Sequence, residues 1–262
     1  IEAVVGEEGS SEGEAICKEF EGIIPISYHQ LNPGRGRSVA GNHALSKATG
    51  EWFCFLDDDD VLFADHIEVL LEVARSEGVA GAYGLSWRTH TEILDKENAI
   101  YRELLMEAAP DEAFSRVSLW HHNFIPIQAL VFHRRLFEKH GGFAEDMDQL
   151  EDWNLWTRYT IDESFLQVRK VTSKYRVPAT ATVSVERQQK LDESYQSAVD
   201  RQRNMTFIAS PAYVRELAQA YAQQNAMVHI GKDEVKSWLV NTPWVRRIFA
   251  LRALVFRWRG RR

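Results

Sequence analysis

The sequence predicts an α/β fold, a mostly parallel sheet flanked by helices, continued by a helical C-terminal extension. Three observations predict it. Short apolar runs of strand length alternate with helical stretches at close spacing through the first two thirds of the chain, the pattern of parallel strands joined by crossover helices. From residue 186 onward strand signals stop and the pattern is helical and polar. The 262 residues are 45% hydrophobic and 11% aromatic, enough for a packed core, with no bias towards disorder or a disulfide scaffold.

In order, residues 1–5 read as a buried strand. Gly6-Glu7-Glu8-Gly9-Ser10-Ser11-Glu12-Gly13 is a turn, with Ser11 the expected cap of a short helix over 14–20. Residues 23–28 form a second strand. A loop rich in Gly and Arg over 32–37 leads to Ser38, the expected cap of a helix over 38–48 that Gly50 ends. Residues 51–56 form the third strand, which runs into Asp57-Asp58-Asp59-Asp60. Over 65–76, Ile67, Leu70, Leu71 and Ala74 share one helical face. Residues 79–87 are strand-like, and 88–122 is irregular. A strand over 127–133 follows, then a helix over 134–140 closed by Gly141-Gly142, an aromatic helix over 151–159 and a late strand over 165–170. Helical segments near 186–208, 211–227 and 232–258 complete the chain. The expected division is 1–185 and 186–262.

The two cysteines, Cys17 and Cys54, make no disulfide framework, and a reducing, cytoplasmic setting is expected. No secretory leader and no apolar run near membrane-spanning length is expected. The net charge of −7 is uneven: seven arginines and no acid fall in 243–262, leaving 24 basic against 38 acidic groups, a net of −14, in the rest. An acidic body argues against nucleic acid as a partner of the main surface.

The chemistry concentrates at the third strand's end. Four adjacent carboxylates repel one another unless a cation sits among them. A hard divalent ion with oxygen ligands, Mn²⁺ or Mg²⁺, bridging to a substrate phosphate suits them; the alternative is a solvated acidic loop. In parallel α/β sheets ligands bind beyond the carboxyl ends of strands, and both Glu7-Glu8 and Asp57-Asp58-Asp59-Asp60 lie at such ends.

Read in order, Glu7-Glu8-Gly9-Ser10, then Gly36-Arg37-Ser38-Val39-Ala40-Gly41-Asn42, then Ala48-Thr49-Gly50-Glu51-Trp52-Phe53-Cys54-Phe55-Leu56-Asp57-Asp58-Asp59-Asp60, then Gly141-Gly142-Phe143, Leu150-Glu151-Asp152-Trp153-Asn154-Leu155-Trp156-Thr157-Arg158 and Tyr175-Arg176 resemble family 2 glycosyltransferases of the GT-A fold, which is Rossmann-like. The resemblance covers roughly residues 1–180. It implies a metal-dependent enzyme that moves a single sugar from a nucleotide-sugar, UDP-linked by expectation, to a hydroxyl of a glycan or lipid-linked acceptor, with inversion. Asp57-Asp58-Asp59 would be the DXD motif. Asp59 would ligate the metal directly, and Asp57 or Asp58 would contact the ribose of the nucleotide or the metal's water shell. Asp152 would be the general base for the acceptor hydroxyl, with Glu151 orienting it or binding acceptor. Glu8 aligns with an aspartate that contacts the nucleotide base.

Other residues stay open between two readings. Arg37 suits phosphate oxygens, or is a solvated loop charge. Trp153 and Trp156 would stack on an acceptor sugar, or fill the core, the latter favoured for Trp156. His122, with His121 and Asn123, falls where the family's acceptor-side loop lies; no compact zinc motif includes His121, His122 and His133. Three departures stand out: the family's first strand is missing ahead of residue 1, which suggests a truncated chain; Glu7-Glu8 replaces the usual Asp-Asp; and Gly41 replaces an arginine before Asn42. No Q-x-x-R-W motif of processive synthases occurs, which favours transfer of single sugars. In the tail, Trp244, Ile248, Leu251, Val255 and Trp258 recur at helical spacing between arginines, as in a helix lying on an anionic membrane surface or packed on protein. Competing readings are a degenerate domain kept as a binding or assembly module, and a sugar-nucleotide pyrophosphorylase.

Overall fold

The computed structural model describes residues 1–9, 11–95, 100–215 and 217–219. The chain starts with a parallel pair, β1 (Ala3–Glu8) and β2 (Ile26–Leu31), joined by α1 (Glu12–Glu19). Ser11 stands at the head of α1 but makes no capping bond; Glu12 and Glu14 in the first turn complement the helix dipole instead. α2 (Arg37–Lys47) begins one residue earlier than predicted, from Gly36 at φ 99°, a conformation that glycine adopts without strain. Ser38 is not its cap: the hydroxyl donates to the Met147 carbonyl (3.0 Å) and ties α2 to the segment ahead of the aromatic helix.

β3 (Trp52–Cys54) and β4 (Val61–Leu62) flank the four aspartates, and α3 (His66–Ser76) follows, burying Leu70 and Ala74. β5 (Gly81–Asp95) and β6 (Ile100–Ala108) form a long hairpin where the sequence shows only irregularity. The reason is local. Register shifts at His90/Thr91 and Ile93/Asp95 break the alternation of β5, and β6 is exposed along nearly its whole length, so no period-2 pattern survives. Then come α4 (Arg116–His121), a 3₁₀ turn (Ile127–Ala129), β7 (Leu130–His133), α5 (Arg134–His140), α6 (Glu151–Tyr159), β8 (Phe165–Pro178) and α7 (Ala181–Gln202).

The larger sheet has the order β3-β7-β5-β8-β4, with β6 added on β5. The α/β class stands, but the sheet is mixed. Among the described residues β1/β2 and β5/β8 pair in parallel, whereas β3/β7, β5/β7, β4/β8 and β5/β6 are antiparallel. Antiparallel neighbours need no crossover helix, so helix–strand alternation alone overstates the parallel share. The main core gathers Trp153, Trp156 and Tyr159 of α6 against Phe132 and Phe165, all under 3% exposed. The compact unit runs from Ile1 to Phe207, so the predicted boundary near Val185 falls inside α7, where Tyr195 stacks on Trp153 at 5.5 Å. No described helix is long and apolar enough to cross a membrane. The basic tail, 243–262, and most of 211–258 lie outside the described residues; 211–215 and 217–219 are helical.

Candidate functional site

Four chain segments meet beyond β1 and β3: the loop ahead of α2, the turn after β3, the start of α6, and the end of α4. The aspartate turn closes on itself, Asp60 N donating to the Asp57 carbonyl at 3.1 Å. Its carboxylates sense one another. Asp57 lies where water reaches it yet protein surrounds much of it; desolvation first, then Asp59, Asp58 and Asp152, raises its pKa, while Arg37 opposes. Asp60 is pushed up to about 7 by desolvation, with Asp59 and Asp57 adding to it, against the Arg176 N–H that donates to Asp60 Oδ1 at 3.2 Å. Asp152 acting on Asp57 places the two predicted motifs in one electrostatic neighbourhood, although 94 residues of sequence lie between those two aspartates.

α6 starts from Leu150 at φ 61°, ψ 21°, the one described non-glycine residue in the left-handed region. A side chain there costs about 1 kcal/mol or more. The turn delivers Glu151 and Asp152 to the first turn of α6. Glu151 is 4% exposed and takes a bidentate pair from Arg37, Nε to Oε1 at 2.8 Å and Nη2 to Oε2 at 3.0 Å. Burial, then the neighbouring Asp152 charge, still raises Glu151 to about 7. Arg37 does not prevent this, because its side chain is 55% exposed and water screens its field. Asp152 is raised above the ordinary carboxylate range, by desolvation foremost. Two donors hold its ionised form: Trp153 N to Oδ1 at 2.7 Å and Asn123 Nδ2 to Oδ2 at 2.9 Å.

Several predicted roles change on this geometry. Arg37 is half exposed but already paired: it donates to Glu151 and to the Asp148 carbonyl (3.2 Å). Glu8 accepts from Arg35 N (2.8 Å) and Gly36 N (2.9 Å), so its carboxylate clasps the loop ahead of α2 and would reach a base only with its remaining lone pairs. Trp153 is not an acceptor platform. It is 1% exposed, its Nε1 donates to the Leu119 carbonyl, and its face is covered by Tyr195. Trp156 is equally buried and donates to the Ile125 carbonyl. His122 is exposed at the end of α4 and pairs with Glu112 at 2.8 Å, next to the Asn123 that holds Asp152. Gly41 has a packing reason: a Cβ there would lie 2.6 Å from the Phe143 ring, while Asn42 bonds the Phe143 backbone through both amide ends (2.7 and 3.0 Å).

Asn123, Asp60 and Arg176 stand in the stretches the sequence singles out, but it gives none of them a role. Their contacts, Asn123 with Asp152 and Arg176 with Asp59 and Asp60, appear only across the fold.

The profile described as Glycosyl transferase family 2 matches residues 1–141. The chain belongs to this family. A match on that span leaves the Glu151-Asp152 pair outside it, and family membership leaves no support for the pyrophosphorylase expectation. Over 194 residues, 68% of its length, the chain is 25% identical to glycosyltransferase GlyA of Streptococcus pneumoniae serotype 4, of which that covers 26%. Over 52 residues, 20% of its length, it is 40% identical to succinoglycan biosynthesis protein ExoM of Rhizobium meliloti, covering 17% of that protein. The chain thus matches about a quarter or less of the length of these relatives. Among solved structures, the mannosyltransferase PcManGT of Pyrobaculum calidifontis, in complex with GDP-Man and Mn²⁺, superposes with TM-score 0.55 at 18% identity, over 97% of this chain and 70% of that one. S. aureus TarS 1–349, in complex with UDP-GlcNAc, gives 0.51 at 12% identity over 70% and 51%. These likenesses establish the GT-A fold.

Among the described residues no group of three His, Cys, Asp or Glu side chains forms a metal cage. The donor set fits a different mode. Asp57, Asp59 and Asp60 are hard oxygen ligands, and the charge of Asp59 adds to the raised proton affinity of both Asp57 and Asp60, a repulsion that a divalent cation relieves. Mg²⁺ and Mn²⁺ are commonly held by one or two carboxylates, with substrate phosphates and water completing the shell.

Proposed function

We propose that this chain is a metal-dependent, inverting glycosyltransferase. It moves one sugar from a nucleotide-sugar, a UDP-sugar by preference, to a hydroxyl of a glycan or lipid-linked acceptor. One observation carries the reading: the aspartate turn after β3 and the carboxylate pair at the start of α6 share one site, with Asp152 acting on Asp57. The neighbours solved with GDP-Man and Mn²⁺ or with UDP-GlcNAc support a nucleotide-sugar and a divalent ion.

In this mechanism Asp59 and Asp57 would hold Mn²⁺ or Mg²⁺, and Asp58 would contact the nucleotide. The ion, when bound, supplies the positive charge that stabilises the departing diphosphate. Asp152 takes the proton from the acceptor hydroxyl as that oxygen attacks the anomeric carbon, which inverts its configuration. Asn123 orients the base, and Arg37 holds Glu151 beside it. The raised proton affinity of Asp152 suits a base that must accept a proton. His122 borders the acceptor side. The setting we propose is the cytoplasmic face of a membrane, in polysaccharide assembly at the cell surface, with the arginine-rich 243–262 on anionic lipid. Loss of salt-sensitive binding to anionic liposomes on deleting 243–262 tests that part; unchanged binding refutes it.

A second reading, a degenerate domain kept for binding or assembly, draws on Arg37 and Glu8 both being engaged within the protein. Thermal shift of the full chain with UDP, GDP, dTDP or CMP, each with Mn²⁺ or EDTA, separates the two. A ligand at a hundred times its Kd stabilises by about 2.7 kcal/mol. A Mn²⁺-dependent shift with one nucleoside diphosphate, lost in Asp59→Ala but kept in a transfer-dead Asp152→Asn, supports the enzyme. No shift from the folded protein supports the module.

A further inference from the structure

The β5–β6 hairpin reaches the aspartate turn through one side chain, Arg176 of β8. β4 pairs antiparallel with β8, Val61 opposite Lys174. Extending that register by two residues sets Arg176 opposite Asp59. There its backbone N–H donates to Asp60 Oδ1 (3.2 Å), and its Nη1 donates to the Asp59 carbonyl. The guanidinium carbon lies 4.9 Å from the centre of the Tyr101 ring, on β6, and Nη2 is 3.9 Å from Glu103 of the same strand. Glu103 is itself paired with Lys174. Arg176 Nε is buried and makes no hydrogen bond among the described residues. The guanidinium is therefore placed by the Tyr101 face and the Asp59 carbonyl, not by saturating all its donors.

We infer that Arg176 is a positioning residue: together with Tyr101 it braces the Asp57–Asp60 turn in the geometry that takes up the divalent ion. The inference deepens the proposed metal site, but the brace itself exists without metal. Two physical roles for an arginine here predict opposite signs. As a counter-ion it competes with the metal, so removing it tightens metal binding. As a brace it pre-orders the turn, so removing it loosens the turn and weakens metal binding despite the lost positive charge.

Hydrogen exchange on the metal-free full chain reads the brace directly. The Asp60 amide, bonded to the Asp57 carbonyl, is the reporter. Arg176→Met keeps an apolar stem but no donor. It should speed exchange over residues 57–62 by about tenfold, the change expected for losing one charge-assisted hydrogen bond, with the remaining peptides unchanged. Arg176→Lys restores charge but not the planar fork and should stay near the Met variant. Tyr101→Ala should move the same peptides the same way by less. Mn²⁺ titration followed by electron paramagnetic resonance should show weaker binding in Arg176→Met. Unchanged exchange over 57–62, or full rescue by Arg176→Lys, overturns the brace whatever the metal does. A wild type that binds no Mn²⁺ overturns the metal reading, while exchange still decides the brace. Acceleration throughout the chain in both substitutions would show a general folding role and also overturn it.

Discussion

Replacing Glu151 by glutamine should stabilise this protein at alkaline pH and leave it unchanged in acid. Glu151 is 4% exposed and titrates near 7 in the folded chain against 4.5 as an ordinary glutamate. The folded state therefore binds the proton more tightly than the unfolded state. Stability from this group is complete below pH 4.5 and is lost as pH rises towards 7. At about 1.4 kcal/mol per pKa unit, ionising Glu151 within the fold costs roughly 3 kcal/mol. Glutamine keeps the shape and removes the ionisation. The Arg37 pair is already counted in that balance, since it lowers the Glu151 pKa while burial raises it. The expected gain is about 2–3 kcal/mol at pH 8, close to zero at pH 4, or roughly 5–10 °C in Tm. Urea denaturation of both proteins from pH 4 to 8 measures it. A difference that is flat with pH, or a variant less stable than wild type at pH 8, refutes the reasoning. It would mean that the Arg37 pair repays the burial in full. If the gain is found and transfer activity falls, Glu151 is an example of a site residue retained at a cost in stability.

Three further outcomes follow from the same geometry. Asn123→Ala removes a donor to ionised Asp152, so its pKa rises further; kcat should fall by about tenfold and the acidic limb of the pH profile should move to higher pH, an unchanged limb counting against the contact. Trp153→Ala should destabilise by about 3–5 kcal/mol, and the milder Trp153→Phe should leave the KM for acceptor unchanged; a raised acceptor KM in a stable Phe variant would return this ring to the acceptor site. Gly41→Ala should cost about 1–3 kcal/mol through the Phe143 ring, and Phe143→Ala should relieve that cost in the double variant; simple additivity of the two would exclude the clash.

Much of the site was legible in the sequence because its carboxylates are adjacent along the chain. Asp57-Asp58-Asp59-Asp60 follows an apolar strand, and Glu151-Asp152 opens an aromatic helix, so each cluster announces itself locally. Trp153 misled because spacing on a helix says which residues share a face, not whether that face meets solvent or the core. Tyr195, 42 residues on, covers it, and no local pattern encodes that contact. Gly41, read as a departure from the family, is instead required by a ring 102 residues away.

The sequence by itself determined the α/β class, the positions of most helices and strands in residues 1–180, the family, and where its acidic clusters lie. These rest on short-range periodicity and on residues contiguous in the chain. Only the tertiary structure decided the mixed strand pairing, the β5–β6 hairpin, the commitment of Arg37 to Glu151 and of Glu8 to the loop ahead of α2, and the recruitment of Asn123 and Arg176. Each of these is a meeting of segments far apart in sequence. Burial and hydrogen bonding, which set both the proton affinities and the partners, are properties of that meeting and not of any one segment.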